Sequence, residues 1–327
     1  MNARRDKAAL RMVALGGGHG LFASLSALRR LTSDLTAIVT VADDGGSSGR
    51  IRRELGVLPP GDLRMALAAL AGRAGRDRAW AGLYQHRFGG NGALAGHPVG
   101  NLVLTGLLEQ MADPVEALAV AAEALGAVGT VLPMSPVPLD LVAQVEAADP
   151  DDPVRVRQIR GQSAIATAPG RVRRIELLPP DAPGCPAALA AVRRADVVVL
   201  GPGSWFTSVI PHLLVTDLAA ALVETTAEVV VTLNLAPQAG ETDGFSPSEH
   251  LRVLREYCPA LRVSAVVADE QDAHDLAAEA KRLDAQLVSA DVRSRRAHDR
   301  HDPIRLADAI ALAVALTGRS ASDRDRA

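Results

Sequence analysis

Two glycine-rich segments near the N-terminus hold the residues best suited to chemistry. The first, LGGGHGL, sets Gly16, Gly17, Gly18, His19 and Gly20 between an apolar run at 12–15 and a stretch at 21–31 with helical apolar spacing. Glycine lets a backbone turn tightly and a ligand approach it closely. A helix that starts there offers free N–H groups and the positive end of its dipole, which suits a phosphate. The spacing is GGGxG, without the third glycine of a dinucleotide fingerprint, and no GK[ST] follows as in a Walker loop. The second segment, VADDGGSSGR, follows a β-branched run at 37–41. Asp43 stands where dinucleotide sites place an acid for a ribose diol. Asp43 or Asp44 suits hydroxyls or a divalent ion, Ser47 and Ser48 suit a phosphate, and Arg50 is its expected countercharge.

Other clusters repeat this grammar. In LPPGDLRMAL, Asp62 is a helix cap or a ligand contact, with equal claim to each. GHPVGNLVLTGLL sets His97 and Asn101 at a helix start, with no second histidine or carboxylate at metal-ligand spacing nearby. LGPGSWFTSVIPHLLV gives a second glycine turn after a strand, with Gly201 and Gly203, then Ser204 and Thr207 at a helix start. Two such turns on one sheet suit a diphosphate or a two-substrate crevice. Gln238, Glu241 and Thr242 follow a further buried strand and are pocket candidates.

The elements that must position these residues alternate strand and helix. The opening strand, glycine turn, helix and strand make a βαβ unit. Continuous apolar runs at 196–200, 228–233 and 263–267 read as buried parallel strands, and 62–70 and 100–108 as helices. The expected fold is therefore α/β, a doubly wound, mainly parallel sheet. Residues 130–180 are proline-punctuated and alternate with a period of two, which predicts a small antiparallel β insertion on the main sheet. Ser246-Pro247-Ser248-Glu249 and Asp302-Pro303 mark helix starts, the latter for a last helix running to about residue 316. The expected organisation is a polar lead-in over 1–10, one nucleotide-binding domain over 11–317 and a frayed tail over 318–327.

Composition narrows the function classes. Of 327 residues, 48% are apolar and only 2% aromatic, so the core is aliphatic and base-stacking platforms are scarce. A formal charge of −3 gives no general attraction to nucleic acid or anionic membranes. Cys185 and Cys258 are far apart and outside any CxxC pattern, which fits a reducing compartment. With no long apolar run, a cytoplasmic protein is expected, with no nucleic-acid or membrane partner. A homodimer is expected on general grounds.

The blocks LGGGHGL, VTVADDGGSSGRIRRELGVLPPGDLRMAL, GHPVGNLVLTGLLE, LGPGSWFTSVIPHLLV and QAGETDGFSPSEHLRVL occur in this order. Together they resemble the gluconeogenesis factor (YvcK-like) family, which is related to the 2-phospho-L-lactate transferases of deazaflavin cofactor biosynthesis. The resemblance runs from Val13 to the HDPIRLADAI helix. It implies a three-layer Rossmann-like fold and a UDP-sugar ligand of the UDP-N-acetylglucosamine type. It also implies a regulatory role in cell shape and wall synthesis during gluconeogenic growth, through wall-synthesis or regulatory protein partners. The transferase relatives imply an alternative, transfer of a phosphorylated group to a deazaflavin acceptor, with magnesium held by Asp43, Asp44 and Asp62. This chain departs from the family at His19, usually Thr, at Pro98-Val99, usually Ser-Leu, and in the LAP before Gln238. The spacing shows no nucleophile–base pair, which favours binding without turnover. A nicotinamide dehydrogenase ranks last because its glycine spacing is absent, and a scaffold that binds only proteins leaves both glycine turns unexplained.

Overall fold

In the computed structural model, residues 10–147, 155–238, 241–242 and 244–318 are described. The expected lead-in and tail therefore lie outside the described residues, Leu10 and Gly318 apart. Seven strands form one sheet: β1 (Met12–Gly16), β2 (Leu35–Val39), β3 (Thr130–Pro133), β7 (Val197–Leu200), β8 (Glu228–Thr232), β9 (Ala265–Asp269) and β10 (Gln286–Ala290). Their spatial order is β10-β9-β8-β7-β1-β2-β3, and every neighbouring pair is parallel. Strands β1, β7 and β9 are buried along their whole length, as their unbroken apolar sequences require.

The order has a direct consequence for function. From β1 the chain winds outward through β2 and β3, then returns to β7 on the other side of β1 and winds away. The connections leaving β1 and β7 therefore diverge, and a crevice opens between their carboxyl ends. Both glycine turns sit at those ends.

The first five helices are α1 (Gly18–Leu28), α2 (Gly46–Leu55), α3 (Pro60–Leu70), α4 (Gly75–Gln85) and α5 (Val99–Gln110). α1 packs on α3 and on the helix Pro303–Thr317. Helix boundaries follow local chemistry. α2 stops at Gly56, which takes the left-handed φ of 69° and donates its N–H to Arg52 O. The predicted capping box holds: Ser246 and Glu249 cap Pro247–Tyr257. Asp302 caps the last helix by accepting from the Ile304 and Arg305 amides.

Three readings of the sequence need correction. The apolar stretch at 130–133 is not part of the insertion; it pairs parallel with β2 as the sheet's edge strand. The insertion is a separate antiparallel sheet, order β5-β4-β6, made of β4 (Asp140–Glu146), β5 (Val156–Arg160) and β6 (Arg171–Leu178). It carries its own apolar face, including Leu141, Ala143, Val145 and Ile175, so it does not need the main sheet as a pairing partner. The strand predicted at 263–267 lies two residues later, where Ala265 pairs with Val230.

Candidate functional site

The crevice at the switch point holds two adjoining chambers. One is polar, about 380 Å³, and its wall includes Gly17, Gly18, Asp43, Ser47, Asp62 and Arg64. The other is more apolar, about 430 Å³, with Phe22, Leu235, Pro237, Arg300, His301 and Pro303 in its wall. His19, Gly20, Gly203 and Gln238 belong to both and form the threshold between them. Of the segments 16–20, 43–50 and 201–207 expected to meet, residues 17–20, 43, 46–48 and 203–204 lie together at one rim of the sheet.

The first glycine turn is demanded by packing. A Cβ on Gly17 would lie 2.4 Å from Asp62 Oδ2 and 2.5 Å from Thr40 Cγ2. A Cβ on Gly20 would lie 2.1 Å from Pro202 O and 2.4 Å from Gly203 Cα. The turns after β1 and β7 therefore touch backbone to backbone. Gly20→Ala should force them apart, costing about 1–3 kcal/mol of stability. A thermal melt reads that loss, and an unchanged melting temperature would show the contact to be soft.

Not every amide at the rim is open. Gly18 N–H donates to Asp62. Gly203 N–H donates to Asn234 Oδ1 at 2.8 Å, and Asn234 Nδ2 donates back to Gly203 O at 2.8 Å. Gly203 therefore shapes the rim and gives a ligand no N–H. The amides left are those of His19 and Gly20 in the first turn of α1 and of Ser47 and Ser48 in that of α2, neither helix having a side-chain cap.

VADDGGSSGR is not a loop throughout, since α2 starts within it at Gly46. The two acids point apart. Asp43 faces the polar chamber, accepts from the Gly45 amide at 2.9 Å and has room because Gly61 lacks a Cβ, which would lie 2.9 Å from its Oδ2. Asp44 turns away and accepts from the Ser163 amide at 2.8 Å, which ties the inserted sheet to this loop. Asp44 leaves the predicted ion-holding set. Among the described residues no group of three His, Cys, Asp or Glu side chains is arranged to hold a metal ion. Arg50 also leaves the site: its guanidinium donates to Ala95 O, in the segment that leads into α5.

The cations of the polar chamber are Arg64 and Arg87, which sequence reasoning missed. Arg64 lies two residues past Asp62 in PPGDLR, and only its burial separates it from many other arginines in the chain. It is 4% exposed. Its Nε donates to Asn101 Oδ1 at 2.9 Å and its Nη1 to Gln85 Oε1. Both partners are neutral, and among the described residues no carboxylate forms an ion pair with it. Burial, then the like charge of Arg87, lower its pKa to about 10.

The acids respond to the same burial. Desolvation raises Asp62 to about 7, with the Asp43 charge adding to the effect. Asp43 is also raised, chiefly by burial, although the Gly45 amide and Ser48 hydroxyl oppose the shift. The two titrate as a pair that holds a proton near neutrality. His19 is lowered by burial and then by the Arg300 and Arg64 charges, so at neutral pH it is a hydrogen-bonding group rather than a cation.

The remaining candidates divide. Asn101, Ser204 and Gln238 line the polar chamber. His97 stands behind Ser47, with Nδ1 2.7 Å from Ser47 Oγ. Gly201 lies below the rim in a left-handed turn, φ 75°. Thr207 and Glu241 are structural: Glu241 is buried and accepts from the Ser204 and Thr207 hydroxyls, which locks the π-helical turn Trp205–Val209. Thr242 Oγ1 accepts from Gln238 N–H at 2.8 Å and so fixes Gln238. Ser208 and Gln162 are further wall residues that spacing did not show. Among the described residues the Oε1 atoms of Gln162 and Gln238 are buried without a hydrogen-bond partner, and a hydroxyl is the kind of group they accept from.

A family model described as 2-phospho-L-lactate transferase CofD matches residues 12–305. This chain belongs to the CofD family. Its relatives carry the gluconeogenesis factor name. A Mycobacterium tuberculosis protein named "Putative gluconeogenesis factor" is 56% identical over 302 residues, 90% of this chain and 88% of that one. A Listeria monocytogenes "Gluconeogenesis factor" is 41% identical over 247 residues, covering 76% and 73%. The crystal structure of a UPF0052-family protein from Bacillus halodurans superposes with a TM-score of 0.82 at 34% identity, covering 92% of this chain and 98% of that one. The α/β fold, with its parallel sheet flanked by helices, is the fold of that neighbour. Among the described residues no helix is long and apolar enough to cross a membrane.

Proposed function

We propose that this chain binds a nucleoside diphosphate sugar, of the UDP-N-acetylglucosamine type, across the two chambers. Arg64 carries the reading. A guanidinium removed from water and given only neutral partners is costly, and a ligand anion offsets that cost. The open amides at the starts of α1 and α2 supply donors to the same anion. The apolar chamber has the character of a base pocket, and the buried oxygens of Gln162 and Gln238, which meet no donor among the described residues, favour a hydroxylated sugar. The regulatory role in cell shape and wall synthesis follows from the family resemblance, and the bound sugar is its signal.

Titration calorimetry tests this with UDP-N-acetylglucosamine and uridine. The nucleotide sugar should bind saturably at one site. Uridine should bind at least about a hundredfold more weakly, since two or more charge-assisted hydrogen bonds of about 1.5 kcal/mol each are lost with the phosphates. No saturable heat with the nucleotide sugar would end the proposal.

A second reading, transfer of a phosphorylated group as in the CofD description, is favoured by one observation: Asp43 and Asp62 face the same chamber. Incubation with magnesium, a deazaflavin acceptor and a guanylylated phospholactate donor, followed by mass spectrometry, separates the two readings. Product at a catalytic rate would establish the second.

A further inference from the structure

Ser47 and His97 lie 50 positions apart in the chain, yet Oγ and Nδ1 are 2.7 Å apart. The surrounding bonds fix the direction of the proton. Arg64 has no acceptor, so the Asn101 atom that meets its Nε must be Oδ1. The Asn101 amide nitrogen therefore faces Ser47 and donates to Oγ at 2.9 Å. A hydroxyl that already accepts from Asn101 gives its own hydrogen to the imidazole, which places the His97 proton on Nε2. Burial, and next the Arg50 charge, keep His97 below its ordinary pKa, so the ring is neutral and able to accept at pH 7. Ser47 itself forms part of the polar chamber's wall, beside the open amides of α2.

We propose that Ser47 is a nucleophile, with His97 as its base, directed at the sugar-bearing phosphorus of a bound nucleoside diphosphate sugar. This rests on the ligand reading above and adds a covalent step to it. The Ser47 Oγ–phosphorus bond forms as His97 Nδ1 takes the hydroxyl proton. The bond from that phosphorus to the bridging oxygen breaks, and the nucleoside monophosphate leaves. The monophosphate leaves as its anion and needs no proton from the protein. Ser47 now carries the sugar phosphate as a phosphodiester. Water then attacks the same phosphorus, and one of its protons passes to solvent. The His97 imidazolium returns its proton to Oγ, and sugar phosphate departs. Arg64 and the Ser47 and Ser48 amides supply donors for the non-bridging oxygens. No external oxidant, reductant or further co-reactant enters.

Two measurements test the proposal. The first needs no ligand: a fluorophosphonate probe, read by peptide mass spectrometry, should label Ser47 in the folded protein. Ser47→Ala should lose the label and still melt cooperatively, at a temperature lowered by the bonds that Asn101 and His97 give up. His97→Asn should slow labelling about a hundredfold, the lower end of what a positioned base contributes. Absence of label on Ser47, or labelling of His97→Asn at the wild-type rate, would show Ser47 to be only a strut between α2 and α5. The second measurement is an acid quench after mixing with UDP-N-acetylglucosamine. UMP and a sugar-phosphate adduct on the Ser47 peptide are expected. Saturated binding with neither product overturns the transfer step alone. Failure of the nucleotide sugar to bind, with Ser47 still labelled, overturns the ligand reading and the transfer from it but not the reactive pair.

Discussion

Arg64→Met should weaken nucleotide-sugar binding about a hundredfold and leave the melting temperature of the free protein almost unchanged. The affinity loss follows from removing a charge-assisted, two-pronged contact, worth roughly 3 kcal/mol. The near-constant stability follows from two opposing terms. Methionine relieves the burial of a cation that has no carboxylate partner among the described residues. It also leaves Asn101 Oδ1 without its donor, at about 1–3 kcal/mol. Arg64→Lys should fall between, since it keeps the charge but loses the planar fork. Calorimetry on the three proteins, with a thermal melt of each, reads both halves. Wild-type affinity in the methionine variant would remove Arg64 from the site.

Asp62→Asn should make the free protein more stable, and only above mildly acidic pH. The sign follows from the two pKa values. In the unfolded chain Asp62 ionises near 3.8, and in the folded protein near 7. Below 3.8 both states are protonated and the substitution gains nothing. Between 3.8 and 7 the unfolded state releases its proton while the folded state retains it, so wild-type stability falls as pH rises. Above 7 the full penalty is in place, up to roughly 4 kcal/mol. Asparagine carries no charge and still accepts from the Gly18 amide, so its gain should grow from pH 4 to 7 and then level off. Denaturant titrations at pH 4, 6 and 8 check this. An equal gain at all three would show that ionisation of Asp62 is not the cause. The same linkage predicts that nucleotide-sugar affinity declines as pH rises through about 7, because an ionised Asp62 opposes a diphosphate.

Much of this architecture is legible in the sequence, because buried parallel strands and glycine turns leave strong local marks. DVVVL and EVVVTL mark β7 and β8 closely, and the convergence of residues 17–20, 43, 46–48 and 203–204 follows from reading both turns onto one sheet edge. What stays hidden depends on direction rather than on position along the chain. Asp43 and Asp44 are neighbours in sequence, but successive residues leave the backbone on different sides, so one enters the chamber and the other reaches Ser163. Arg50 looks like the countercharge, while Arg64 has that placement only because α3 turns it inward against Asn101. The Ser47–His97 pair joins α2 to the approach to α5, and no spacing rule connects residues so far apart in the chain. Glu241 and Thr242 are rightly placed near the rim but act one layer back, as braces for Ser204 and Gln238.

The two-ended grip of Asn234 on Gly203 carries a lesson for altering selectivity. The lip of the crevice after β7 is held from the side by the connection that follows β8. Randomising 235–238 with Asn234 kept should therefore retune which head group enters while the phosphate cradle keeps its shape. A library that varies the neighbours of Asn234 would explore new cargoes without dismantling the floor on which they rest.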